Sequence, residues 1–185
     1  MYNLEPIFPT FLHHLKTDIT KELIDFCYQL KDEDPEGVKK TNIGGWQSLS
    51  FTPNDTVASN LIESILYKTL EVFIKAPTLI NWWVNINTPN SYNGMHIHPG
   101  VDMSGVIWIK VPEGSGNLYF PHTNYFSRCN EIENSRDFIK QGYGQEVVPQ
   151  VGNVILFPSC LQHEVERNES NEDRISISFN SEFID

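Results

Sequence analysis

Asp173-Arg174-Ile175-Ser176-Ile177-Ser178-Phe179-Asn180 reads as a β-strand with two unlike faces. Side chains alternate across a strand, so Ile175, Ile177 and Phe179 fall on one side and Arg174, Ser176, Ser178 and Asn180 on the other. The apolar side demands a core. The polar side, opened by an arginine, demands either water or a ligand. A second run behaves the same way: Val106, Trp108 and Lys110 alternate with Ile107, Ile109 and Val111 in Met103–Val111. Leu79–Asn87, Asn117–Phe120 and Asn153–Phe157 complete a series of short β-like runs. Turn residues punctuate them at Pro89-Asn90, Pro99-Gly100, Pro112–Gly116, Val151-Gly152 and Asn168–Asp173.

Upstream the period changes. Asp18 is an expected N-cap, followed at helical spacing by Ile19, Leu23, Phe26, Cys27 and Leu30, and Lys31–Pro35 ends the pattern. A second helix is expected from about Pro53-Asn54. It carries Val57, Leu61, Ile65, Leu66, Leu70, Phe73 and Ile74 on one stripe and closes at Pro77. Helices followed by many short strands predict an α+β protein, with the helices on one face of a β-sandwich or barrel. One domain spanning 1–185 is expected, helical over about 1–76 and β-rich over about 77–185. The polar segment Asn124–Gly144 reads as a long loop with one helical turn, of the kind that forms lids.

With 185 residues, 39% hydrophobic and 12% aromatic, the composition is that of a globular chain able to bury a core. No apolar run approaches the roughly 18–20 residues of a membrane span, and Met1–Pro6 has neither the basic nor the apolar region of a signal peptide. Cys27, Cys129 and Cys160 are odd in number and widely spaced, which suggests no disulfide framework and a cytoplasmic setting. A net charge of −11 repels phosphate backbones, so long nucleic acids are not expected as partners. The Lys39-Lys40 doublet is too small to reverse this. Oligomeric state is not legible, and a homodimer is admissible.

Chemistry concentrates in the histidines. In Asn93-Gly94-Met95-His96-Ile97-His98-Pro99, two imidazoles two residues apart share a face if the segment is a strand end. They can then close on one metal, with His163 as a third ligand from a distant part of the chain. The alternative is a polar edge strand with two solvated histidines. Eleven residues past His163, Arg174 opens its strand with Ser176 on the same face, an arrangement suited to bidentate binding of a carboxylate. The alternative for Arg174 is a surface ion pair with Glu172 or Asp173. His13 and His14 read as surface residues and His122 as a loop residue, with a position facing the substrate as its alternative. Trp82, Trp83 and Trp108 read as packing between helices and sheet, with pocket lining as the alternative. Trp46, in Gly44-Gly45-Trp46-Gln47-Ser48, suits a lid and a core equally. Cys160 lacks a base and an orienting acid, so it is not read as a nucleophile.

His-x-His, a distal His and then Arg-x-Ser together resemble the Fe(II)/2-oxoglutarate-dependent oxygenases. Within them, the texture is similar to a branch from marine bacteria and their phages. The similarity lies in Gly44–Ser48, Trp83–Asn87, His96–Pro99, Ser104–Trp108, Ser115–Leu118, Leu156–Ser159 and Arg174–Asn180, from about Thr41 to the C-terminus. The resemblance implies a double-stranded β-helix (jelly roll). It implies iron at His96, His98 and His163, and 2-oxoglutarate on Arg174 and Ser176, with Asn85 or Asn87 as further cosubstrate contacts. Oxidative decarboxylation with O₂ to succinate and CO₂ would then drive oxidation, expected to be hydroxylation, of a small-molecule or peptide substrate. The family pattern has a carboxylate where this chain has His98. Asp102 is the alternative ligand if the Pro99-Gly100 turn folds back. His98 serving the substrate, with water completing the metal shell, is a third arrangement. Two other functions compete. A cupin-like metalloprotein gives Arg174 no task, and a non-catalytic jelly-roll binding module predicts no tight metal.

Overall fold

A computed structural model describes residues 10–54, 56–121 and 144–184. Among these the strands are β1 (His13–Lys16), β2 (Asn42–Ile43), β3 (Trp46–Gln47), β4 (Thr78–Asn87), β5 (Tyr92–His96), β6 (Met103–Lys110), β7 (Leu118–Pro121), β8 (Gly144–Val147), β9 (Asn153–Pro158), β10 (His163–Val165) and β11 (Arg174–Glu182). All strand pairings are antiparallel. They make one sheet in the order β1-β9-β6-β11-β4-β3 and a second in the order β2-β5-β10-β7-β8.

The expected alternation of β11 sets the layers. Ile175, Ile177 and Phe179 are fully buried in a core with Trp82, Val84 and Ile86 of β4 and Ile107 and Ile109 of β6. That core is closed by two helices, α1 (Lys21–Glu33) through Leu23 and Cys27, and α2 (Val57–Lys68) through Ala58, Ile62, Ile65 and Leu66. The other face of the six-stranded sheet meets the second sheet. There Trp108, Ile155 and Phe157 pack on Leu118, Phe120 and Val147. Sheet-on-sheet packing covers only part of this interior, and the rest is a cavity.

Several expected boundaries move. The N-cap of α1 is Thr20, not Asp18, because the Thr20 hydroxyl accepts from Leu23 N at 3.3 Å. Thr56 caps α2 through Ser59 N, three residues past the expected start. The second helix also stops short of Pro77. The Thr69 hydroxyl donates to Leu66 O at 2.6 Å, and the chain tightens into a 3₁₀ turn at Thr69–Glu71. The expected helical third also supplies β1, β2 and β3, each pairing with a strand of the β-rich part. The proposed lid at Asn124–Gly144 lies outside the described residues, except for Gly144 at the start of β8, as do His122 and Cys129.

Candidate metal centre

His96 ends β5 and His163 opens β10, and the antiparallel register sets them directly opposite one another. Their ring centroids are 4.3 Å apart. His98 is not on the strand as expected. The strand stops at His96, and His98 stands beyond it, anchored by its own N–H to Ser159 O at 2.9 Å before the turn at Gly100. Its ring nonetheless joins the pair, parallel to His163 at 5.1 Å, with the two Nε2 atoms 3.3 Å apart. The three imidazoles offer ligand atoms that all lie within 4.8 Å of one another.

The backbone sets the tautomers. His96 Nδ1 lies 2.7 Å from Gly94 O and His163 Nδ1 lies 2.9 Å from Leu161 O. A carbonyl only accepts, so each Nδ1 carries the proton and each Nε2 keeps a lone pair. His98 is held instead by Trp83 of β4, whose ring stacks on it at 5.5 Å and 27°. Burial, then the neighbouring imidazoles, pull His98 down to about 3. Burial and His96 pull His163 to about 4. Burial also lowers His96. Three neutral imidazoles turned on one point suit a divalent cation.

The same cavity, about 310 Å³, is lined by Arg174, Ser176 and Asn85 as well as the histidines. Arg174 is 1% exposed. Its Nη1 donates to Ser115 O at 2.7 Å and Gly116 O at 3.3 Å, while Nη2 is buried without a partner. Gly116 has φ +84°, and a Cβ there would come within 2.6 Å of Glu166 O and Arg167 O, so only glycine delivers that carbonyl. Among the described residues, no surface ion pair forms at Arg174. Glu172 takes Lys110 instead, at 3.0 Å. Burial lowers the guanidinium to about 10, which leaves it charged at neutral pH. A buried cation with an unclaimed donor fits a carboxylate ligand.

Asn85 donates to Ser178 Oγ at 3.1 Å and keeps a buried, unpartnered Oδ1. Asn87, opposite Arg174 in register, is turned away: its amide goes to Asn93 Oδ1 at 2.9 Å, and it does not line the cavity. Asp102 is exposed and accepts from Phe183 N at 2.8 Å, outside the cluster of three histidines. Of the tryptophans, Trp82 is core, and Trp46 is buried with Nε1 donating to Asp34 O at 2.8 Å. Trp83 and Trp108 line the cavity, the alternative to packing between helices and sheet. His14 is exposed, but His13 is half-buried against Phe73. Cys160 is exposed and unpaired.

Comparison with known proteins bears on the family and the fold. The family model described as "Putative 2OG-Fe(II) oxygenase" matches residues 81–180, just over half of the chain. A Pseudomonas putida prolyl-4-hydroxylase superposes with TM-score 0.61 at 14% identity, over 94% of this chain and 93% of that one. A Trichoplax adhaerens prolyl hydroxylase, solved with a hypoxia inducible factor peptide fragment, gives 0.62 at 14% identity, over 92% and 82%. HygX from Streptomyces hygroscopicus, solved with nickel and 2-oxoglutarate, gives 0.58 at 12% identity, over 94% and 83%. These likenesses identify the fold as the double-stranded β-helix. No curated protein matches by sequence. On the family match, the chain belongs to the 2OG-Fe(II) oxygenase family.

Proposed function

We propose that His96, His98 and His163 hold the iron of this oxygenase, and that Arg174, assisted by Ser176, holds the far carboxylate of 2-oxoglutarate. One observation carries the reading: a single cavity contains three converging imidazoles and a buried guanidinium with an unused donor. Fe(II), when bound, supplies the redox chemistry that couples O₂ and 2-oxoglutarate to substrate oxidation. The protein's own residues do the rest. Nδ1–H bonds to Gly94 O and Leu161 O fix two rings in the ligating tautomer. Stacking on Trp83 fixes the third.

Three neutral imidazoles leave the dication's charge uncancelled, so a dianionic cosubstrate is held by the metal's charge as well as by Arg174. The Ser115 and Gly116 carbonyls aim the guanidinium, which limits the entropy lost on binding. Asn85, with its open Oδ1, stands between the clamp and the metal and orients bound groups by hydrogen bonding. The reaction is read as hydroxylation of a small molecule or peptide. The acidic surface supports excluding long nucleic acids. The unpaired Cys27 and Cys160 support a reducing, cytoplasmic setting. The chain is read as one domain, because β1, β2 and β3 from its first third complete both sheets.

With Fe(II), 2-oxoglutarate and air, the protein should release succinate slowly even without substrate. Arg174→Ala should suppress that release roughly tenfold or more, as expected for a lost buried charge-assisted contact. Wild-type protein that binds iron but forms no succinate would return the site to a cupin-like metalloprotein.

A further inference from the structure

The cavity floor is one face of the six-stranded sheet, and its rows can be read from the register. Arg174 pairs with Asn87, Ser176 with Asn85, Ser178 with Trp83, and Asn180 with Asn81. At about 3.3 Å per residue, Arg174 and Asn180 stand roughly 20 Å apart along β11. A small diacid held by Arg174 is far too short to reach the other end. The metal level is marked by Trp83, because His98 stacks on it. Asn180 and Asn81 therefore lie one pleat past the metal, about 7 Å, on the side away from the clamp. Yet both line the same cavity, as does Ser104 of β6, which pairs with Asn180.

These three side chains form a directed series. Ser104 Oγ donates to Asn180 Oδ1 at 2.8 Å, and Asn180 Nδ2 donates to Asn81 Oδ1 at 3.0 Å. The series ends at the Asn81 amide nitrogen, which has no protein acceptor among the described residues. Ser104 is 2% and Asn180 8% exposed, so the first two members are buried and fixed. A structural tie between strands accounts for Ser104 and Asn180. Asn81 is half-buried, and its two N–H donors, polarised by the bonds behind them, stand at the cavity wall. The described lining contains no Asp or Glu, and its cations are Arg174, at the clamp, and Lys40, which precedes β2 of the other sheet. Lys40 acts on the His98 ring, and the donors at the Asn81 end are themselves neutral, which suits an uncharged partner.

We propose that Asn81, Asn180 and Ser104 form the subsite that recognises the primary substrate, and that they take an uncharged oxygen acceptor, a carboxamide carbonyl or a hydroxyl. The proposal rests on the metal and cosubstrate reading above. The subsite donates to the substrate oxygen and holds the substrate across the metal from the 2-oxoglutarate clamp. Its donors come from rigid strands, so binding there also orients the substrate.

The test uses full-length protein loaded with Ni(II) and N-oxalylglycine, an inert cosubstrate mimic. Thermal shift reports loading, and saturation-transfer NMR reports binding of N-acetylglycinamide, glycerol or acetate. The neutral amide or the polyol should bind wild type and outcompete acetate, and whichever binds better distinguishes carbonyl from hydroxyl. Asn81→Asp, nearly isosteric but stripped of donors, should weaken that binding about fivefold to tenfold, the equivalent of one lost hydrogen bond. Asn81→Leu should do the same, and both variants should still take N-oxalylglycine. Equal binding in wild type and variants, no binding of either neutral probe to loaded wild type, or a preference for acetate would overturn the subsite. Wild type that fails to load N-oxalylglycine would overturn the cosubstrate reading first, and this proposal with it.

Discussion

At the scale of single residues, the site depends on imidazoles that resist protonation. His98 and His163 ordinarily titrate near 6.5 but are held to about 3 and about 4 by burial and by neighbouring imidazoles, His163 and His96 acting on His98 and His96 on His163. Above 6.5 they are neutral in both folded and unfolded chains and do not affect stability. Below it the unfolded chain takes up protons that the folded site refuses. Metal-free protein should therefore lose stability as pH falls from about 6.5 towards 4. Urea unfolding in the presence of chelator should show a lower midpoint at pH 5 than at pH 7. His163→Gln should shrink that difference, and an unchanged difference would place the acid sensitivity elsewhere. The three histidines and Arg174 were legible in the sequence because few residue types bind metals or carboxylates, and their spacing is distinctive. Asn81 and Asn180 were not. Their importance comes from the cross-strand register of β4 and β11, which no local pattern encodes.

Among elements, β6 and β11 fit closely where they pair. Gly105 lies opposite Phe179 in register, and a Cβ at residue 105 would sit 2.2 Å from the Phe179 ring. The fully buried ring thus occupies the space a side chain would need. Gly105→Ala should cost about 1–3 kcal/mol, as overpacking does, read as a lower thermal midpoint. Adding Phe179→Leu should recover part of that loss, whereas additive losses would rule out the steric explanation. The long alternating strands were readable because burial on one face imposes period two over many residues. The short strands His13–Lys16, Asn42–Ile43 and Trp46–Gln47 were not, since two to four residues carry no period. Each exists because a longer strand offers it an open edge. Phe73 and Ile74 fit the expected helical stripe, yet the 3₁₀ turn at Thr69 takes them off it. Phe73 packs on Phe183 instead, and Ile74 is left in solvent.

Across the whole molecule, early and late parts of the chain complete each other. β1 covers the edge of β9, pairing His13 with Leu156 and Lys16 with Asn153. Protein lacking the residues through Lys16 should expose that edge, lose about 2–4 kcal/mol with the missing pairings, and aggregate through the open strand. Light scattering during thermal unfolding would detect this, and a truncated protein as stable and as clear as the full chain would refute it. The pairing of β5 with β10 has a further consequence for how the enzyme matures. His98 and His163 are 65 residues apart, and synthesis runs from the amino end. On the proposed ligand set, a nascent chain has no complete seat for iron until His163 has left the ribosome and β10 has docked between β5 and β7. Iron loading thus waits for the sheet to close, and unfinished chains are spared a redox-active metal without the walls that confine its chemistry.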